Sequence, residues 1–243
     1  MKNEAELQSW FIRRIEKFIN SKEKKLIGWE EIMEGGLTPN ATVHSWLGTS
    51  SGVKASKMGN DIIMSPYSHL YFDGYQAEPK IEPLAIGYNT PLDTVYAFEP
   101  RHPQMTDKDA EHLLGAQANV WTEYITSESY FEYMSYPRMA ALAEICWTPK
   151  EKKNINDFKE RMKHLYTVYD RQNIAYRIPV PVVSAAAYDT DGVATVSLSN
   201  PSGDGIIRYE LNKDNVTENS PQYFQPVKVK IGETLNFAVF RNG

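Results

Sequence analysis

The segment Lys25-Leu-Ile-Gly-Trp-Glu-Glu31 decides how this chain is read. Its apolar burst is too short for a helix, ends in a tryptophan and runs straight into two acids. It reads as a buried strand with Trp29 at its C-terminal end. Ala41-Thr-Val-His-Ser-Trp46 repeats the pattern and is followed by Gly48, Gly52 and a short helical stretch through Met58. Asp61-Ile-Ile-Met-Ser65 is a third strand, leading past Pro66 into Ser68-His-Leu-Tyr-Phe-Asp73, and Leu114-Gly-Ala-Gln-Ala-Asn-Val-Trp121 is a fourth. Upstream, Leu7, Phe11, Ile15, Phe18 and Ile19 mark the apolar face of a helix over Glu4–Asn20. Further helices are predicted after a Thr106-Asp107 cap, over 130–147, and over 156–171 with Phe158, Met162, Leu165 and Tyr169 on one face. Strand alternating with helix predicts parallel βα units and an α/β fold, with four strands and no fifth. The Pro-rich stretch over 74–105 is longer than connections usually run, and loops of that length are often functional.

The pattern changes at Ile178-Pro-Val-Pro181. Beyond it, Ala194, Val196 and Leu198, then Ile207, Tyr209 and Leu211, alternate with polar residues. Val227, Val229 and Ile231, and Leu235, Phe237 and Val239, do the same. Residues 178–243 therefore read as a small β-sandwich appended to an α/β region over 1–177. The 243 residues, 42% hydrophobic and 12% aromatic, supply material for a real core and suit one barrel or two smaller domains. A net charge of −5 argues against a nucleic-acid surface. The single Cys146 excludes an intrachain disulfide and any Cys-rich zinc site, and its apolar helix suggests burial. No apolar run is long enough to span a membrane, and the N-terminus lacks the apolar core of a signal peptide. The chain opens directly into a helix, as one cut within a domain would.

Four predicted strands each lead to an aromatic residue or an aromatic–acid pair: Trp29, Trp46, Tyr71 with Asp73, and Trp121 with Glu123. In parallel βα architectures the C-terminal strand ends form the binding face. Indole faces pack on the C–H surfaces of a sugar, and carboxylates accept from its hydroxyls. Any one of these tryptophans reads equally well as barrel-end packing; four strand ends with the same feature favour the sugar. The five histidines show no paired metal spacing and read as surface or loop residues. Gly35-Gly36 reads as a turn, and Glu30-Glu31 as the acidic opening of a helix.

Together these segments resemble glycoside hydrolase family 20, the β-N-acetylhexosaminidases. The resemblance is carried by Leu26-Ile-Gly-Trp-Glu-Glu-Ile32, Ser45-Trp46, Ile63-Met-Ser-Pro66 with Tyr71-Phe-Asp73, Gly115-Ala-Gln-Ala-Asn-Val-Trp-Thr-Glu123 and Tyr136-Pro-Arg-Met-Ala-Ala-Leu-Ala-Glu-Ile-Cys-Trp147. It implies strands five to eight, the C-terminal half, of a TIM (β/α)8 barrel. Ile207-Arg-Tyr-Glu-Leu211 and Ser220-Pro-Gln-Tyr223 resemble the fibronectin-like module that often follows that barrel.

The family's retaining mechanism uses the substrate's own 2-acetamido oxygen as nucleophile. The resemblance implies that Trp29, Trp46 and Trp121 box the acetamido methyl and the sugar ring, and that Tyr71 holds the acetamido oxygen. Asp73 and Glu123 would accept from hydroxyls of the terminal sugar, O4 and O6. It implies no cofactor and no metal, an N-acetylhexosamine-containing glycan as partner, and a parent enzyme that is secreted, periplasmic or cell-surface. The family's adjacent Asp-Glu pair, whose Glu is the general acid, has no counterpart: no Asp-Glu dipeptide occurs in this sequence. A fragment of such an enzyme should then be close to inactive, since general acid catalysis contributes about 10²–10⁴-fold. A non-catalytic carbohydrate-binding or interaction protein built from a decayed barrel is the alternative. A half barrel also leaves two unpaired edge strands, so either homodimerisation through that open face or rearrangement is expected.

Overall fold

The computed structural model describes residues 3–185 and 187–241. The chain divides into two compact units, Met1–Lys153 and Asn154–Gly243.

The first unit opens with α1, Glu4–Asn20, capped by Asn3, whose Oδ1 accepts from Glu6 N at 2.9 Å. Its apolar face does not point inward as the periodicity predicts. Leu7, Phe11 and Phe18 are exposed, and the buried side chains are Ser9 and Glu16. The cause is local. A Cβ placed on Gly35 would lie 2.0 Å from the Ala5 carbonyl oxygen and 2.4 Å from Ser9 Oγ. Thr38 Oγ1 donates to Glu16 Oε1 at 2.6 Å. The helix therefore docks through a small polar stripe against the turn at Gly35, which only glycine permits.

Four short strands follow: β1 (Ile27–Trp29), β2 (Thr42–Ser45), β3 (Ile62–Met64) and, later in the chain, β6 (Leu113–Ala116). They pair in the order β1-β2-β3-β6, all parallel. Every residue of β2 is buried, as a strand covered on both faces requires. Glu30–Met33 forms a 3-10 turn after β1. Helix α2 (Ser50–Lys57) follows β2, with Gly52 lying close against Ser45 and Met64. The short α3 (Tyr67–Leu70) follows β3.

The 74–105 stretch is more ordered than a loop. Within it β4 (Gly74–Tyr75) pairs in parallel with β5 (Ile86–Asn89), and α4 (Leu92–Ala97) follows. The predicted cap at Thr106 opens α5 (Asp107–Ala110): Asp109 N donates to Thr106 Oγ1 at 3.2 Å and Thr106 N to Asp109 Oδ2 at 3.0 Å.

Further expectations fail in this unit. The fourth strand skips Leu114 in its pairing with β3, resumes at Gly115 (φ +140) and ends at Ala116, and Trp121 sits in the loop beyond it. The helix expected over 130–147 is two helices, α6 (Glu128–Ser135) and α7 (Arg138–Trp147), separated at Pro137, which cannot donate to the helical ladder. Cys146, on α7, is exposed rather than buried.

The second unit joins α8 (Ile155–Arg171) to β7 (Val182–Ala185), β8 (Val193–Ser199), β9 (Ile206–Leu211), β10 (Val227–Lys230) and β11 (Leu235–Phe240). The strands form two antiparallel sheets, β10-β8-β7 and β11-β9. Both contribute to one apolar cluster of Val196, Leu198, Ile207, Val227, Val229 and Val239. The unit begins upstream of the boundary read near 178 because α8 packs with these strands. Arg241 Nη2 meets Asp170 Oδ2 at 2.6 Å, and the Lys163 side chain lies against Gly203. Among the described residues no helix is long and apolar enough to cross a membrane, and no group of three or more His, Cys, Asp or Glu is placed to hold a metal.

Candidate functional site

The C-terminal ends of the parallel strands open on a cleft of about 1030 Å³ in the first unit. Trp29, Trp46, Tyr71, Asp73, Trp121 and Glu123 all line it. Parallel pairing brings this about: each strand ends on the same edge of the sheet, so the next residues of distant segments converge there.

The aromatic rings form a continuous wall. Trp29 lies 6.2 Å from Trp46 at 79° and 6.1 Å from Trp121 at 36°. Tyr71 lies 6.1 Å from Trp46 and 6.4 Å from Trp121. Trp29 also stacks on His44, with centroids 4.3 Å apart and planes at 13°. His44 is therefore no surface residue: it sits in β2, buried, and burial pushes its pKa down, so it backs the wall as a neutral ring.

The Trp46 loop is fixed by the two acids after β1. Glu30 Oε2 accepts from Trp46 N at 2.8 Å and from Leu47 N at 3.3 Å, while Ser51 Oγ donates to Glu30 Oε1 at 2.9 Å. Glu31 Oε1 accepts from the Trp46 indole N–H at 3.0 Å, and its Oε2 is buried without a partner. These acids do open a helical turn, but their side chains orient a tryptophan across the cleft. The adjacent pair of acids after Trp29 was the available signal, and local helix chemistry obscured it.

Tyr71 and Asp73 are held from two sides. Phe72 N donates to Asn119 O at 2.7 Å and Asn119 N to Leu70 O at 2.9 Å, and Asn119 Nδ2 donates to Ser65 Oγ at 2.6 Å. These bonds join the segment after α3 to the loop that carries Trp121. From behind, the fully buried Arg138 stacks 4.7 Å over the Phe72 ring. Its Nη1 donates to Gly74 O at 3.2 Å and Thr90 O at 3.0 Å, and its Nη2 donates to Phe72 O. Burial raises the Tyr71 pKa, so the phenol stays a proton donor.

Asp73 is buried, with Oδ2 accepting from the Tyr88 hydroxyl at 2.6 Å and Oδ1 without a partner. Burial raises its pKa, opposed first by the Tyr88 hydrogen bond, then by its own backbone amide and last by Arg138. Glu123, by contrast, is exposed at the cleft mouth. The site therefore offers an aromatic floor, phenol donors including Tyr71, and carboxylates in unlike environments. That combination suits a small polyhydroxylated ring bearing an apolar substituent. Arg138 and Tyr88, which the sequence reading left without roles, act through backbone carbonyls and through one carboxylate.

Comparison with known proteins bears on the same residues. The family described as "Glycosyl hydrolase family 20, catalytic domain" matches residues 1–150. A "Beta-hexosaminidase" of Porphyromonas gingivalis is 41% identical over 234 residues, covering 94% of this chain and 30% of that protein. An "N,N'-diacetylchitobiase" of Vibrio harveyi is 30% identical over 219 residues, covering 70% of this chain and 23% of that protein. Among solved structures, a family 20 exo-β-N-acetylglucosaminidase from Vibrio harveyi in complex with N-acetylglucosamine superposes with a TM-score of 0.68 at 30% identity, covering 72% of this chain and 28% of that one. The chain spans between 23% and 30% of the length of the first three curated relatives it matches.

Proposed function

The chain belongs to glycosyl hydrolase family 20, and on that premise we propose that its cleft binds the terminal non-reducing N-acetylhexosamine of a glycan. The observation that carries this reading is the convergence of three indoles and Tyr71 around one cleft that also holds the buried carboxylate of Asp73. In this reading Trp29, Trp46 and Trp121 pack on the acetamido methyl and ring faces. Tyr71, kept protonated by burial, donates to the acetamido oxygen as that oxygen attacks the anomeric carbon and the glycosidic bond breaks. Asp73 and Glu123 accept from hydroxyls at the far side of the sugar. Hydrogen-bonding sites of this kind discriminate strongly against analogues lacking the group.

The parallel sheet β1-β2-β3-β6 is read as half of a (β/α)8 barrel, and the two antiparallel sheets as a fibronectin-like β-sandwich. The leaving oxygen needs a proton, and no adjacent Asp-Glu pair stands in these 243 residues to give it. The chain alone is therefore expected to bind sugar and to turn over p-nitrophenyl N-acetylglucosaminide hardly at all. Calorimetric titration with N-acetylglucosamine and with glucose tests the binding. Saturable binding that needs the acetamido group supports the reading, and equal affinity or none for both sugars refutes it. Turnover at ordinary enzyme rates would show instead that a general acid lies within this chain.

A further inference from the structure

The feature this reading leaves unused is the irregular pairing of β4 with β5. Gly74 pairs with Ile86 but Tyr75 pairs with Asn89, so Gly87 and Tyr88 bulge out of register between them. Hydrogen bonds close the bulge at both ends: Ile86 N donates to Asp73 O at 3.1 Å and Thr90 N to Tyr75 O at 2.7 Å. A bulge re-aims the side chains it carries, and this one lays the Tyr88 ring on Gly74. A Cβ on Gly74 would stand 2.4 Å from Tyr88 Cδ2, so the ring fits only because residue 74 has no side chain. The Tyr88 hydroxyl thereby reaches Asp73 Oδ2 at 2.6 Å. Arg138 holds the carbonyls of Gly74 and Thr90, one on each side of the bulge, so a single guanidinium fixes both parts of the contact.

We propose that Tyr88 is a positioning residue: it occupies one oxygen of Asp73, so that this carboxylate meets the sugar as an acceptor through its other oxygen. The inference rests on the proposed function and deepens it, by naming what makes Asp73 selective. An Asp73 free to turn would offer either oxygen to hydroxyls of either configuration. One tethered by Tyr88 discriminates between sugars that differ in the configuration of a single hydroxyl. The phenol suits the task, because burial and the neighbouring carboxylate push its pKa up and it remains a donor. The groups facing Asp73 are Tyr88 on β5, Tyr71 on its own segment, Glu123 beyond β6 and Arg138 on α7. Of these, the Tyr88 hydrogen bond and Arg138 favour the ionised form, whereas burial and Glu123 oppose it.

The test is Tyr88→Phe in the whole chain. The variant keeps the ring against Gly74 and against Tyr67 and Tyr71, whose centroids lie 6.0 and 6.2 Å away. Two readouts are taken: the Asp73 titration midpoint, by carboxyl ¹³C NMR with Asp73→Asn for assignment, and the affinities for N-acetylglucosamine and N-acetylgalactosamine across pH. Loss of the hydroxyl should move the Asp73 midpoint upward, weaken the preferred sugar roughly tenfold and narrow the ratio between the two sugars. The acid limb of binding should move up with the midpoint, which a merely structural role would not cause. An unmoved midpoint, or an unchanged sugar ratio with a moved midpoint, overturns the proposal. A wild-type chain that binds neither sugar while its Asp73 midpoint responds to Tyr88→Phe refutes the proposed function and the selectivity, but not the control of the carboxylate.

Discussion

Replacing Arg138 by methionine tests how the site is held. The side chain is fully buried, and its guanidinium donates to the carbonyls of Phe72, Gly74, Thr90 and Met134. Methionine fills much of the volume and donates nothing. Three of those carbonyls, at Phe72, Gly74 and Thr90, lie outside helices, and each stranded acceptor costs about 1–3 kcal/mol. The lost stacking on Phe72, at 4.7 Å, adds up to about 2 kcal/mol. Against this, the fold no longer desolvates a guanidinium, which returns several kcal/mol. The net loss is set at roughly 3 kcal/mol, a large part of the roughly 5–15 kcal/mol that holds a domain together. For a unit of this size that corresponds to a fall in Tm of roughly 6–12 °C. Arg138→Lys keeps the charge without the planar fork and should recover less than half of the loss. Urea unfolding followed by tryptophan fluorescence measures both variants. A methionine variant within about 1 kcal/mol of wild type would refute the clamp, because stranded carbonyls cannot be that cheap.

The remaining predictions concern Asp73 and the open sheet. Burial raises the Asp73 pKa above its unfolded value, so the fold binds the proton more tightly. The stability this group contributes is fully present below the unfolded pKa and is lost as pH rises through the folded one. Asp73→Asn should therefore raise Tm at neutral pH and converge with wild type in acid, while weakening sugar binding; a lower Tm at pH 7 would contradict this. The parallel sheet ends at β1 and β6 with Ile27 55% and Leu114 60% exposed, and α1 exposes Leu7, Phe11 and Phe18. A two-fold axis along the sheet's strands would set β1 of one copy beside β6 of another in parallel. Light scattering should accordingly give about twice the 27.7 kDa chain mass. A monomer that binds no apolar dye would contradict it.

The strands were legible because each is a short apolar run, and two of the four, β1 and β2, end within a residue of Trp29 and Trp46. That Trp121 lies beyond its strand is not legible, because nothing in the run from Leu114 to Trp121 reveals that pairing stops at Ala116. The direction faced by α1 was not legible either, since apolar periodicity marks a stripe but not what covers it. Its docked side was instead chosen by Gly35, whose value lies in a close backbone approach. Trp29, Trp46, Tyr71, Asp73, Trp121 and Glu123, all singled out by the sequence, line one cleft. The role of Arg138 is not legible, because three of the carbonyl oxygens it holds lie 48 to 66 residues away, invisible to any side-chain pattern. Tyr88 was hidden in a Pro-rich stretch that reads as loop, and His44 in a strand whose two faces are both covered.

The five tryptophans allow the most direct test of the central claim, that the strand-end aromatics form a sugar site. Trp29, Trp46 and Trp121 line the cleft, whereas Trp10 and Trp147 are 47% and 88% exposed and lie outside it. Titrating N-acetylglucosamine into ¹⁵N-labelled protein, with single Trp→Phe variants for assignment, should shift the three cleft indole N–H signals along one saturation curve. Trp10 and Trp147 should stay still. Five signals moving together, or only the two outer ones moving, would contradict the account.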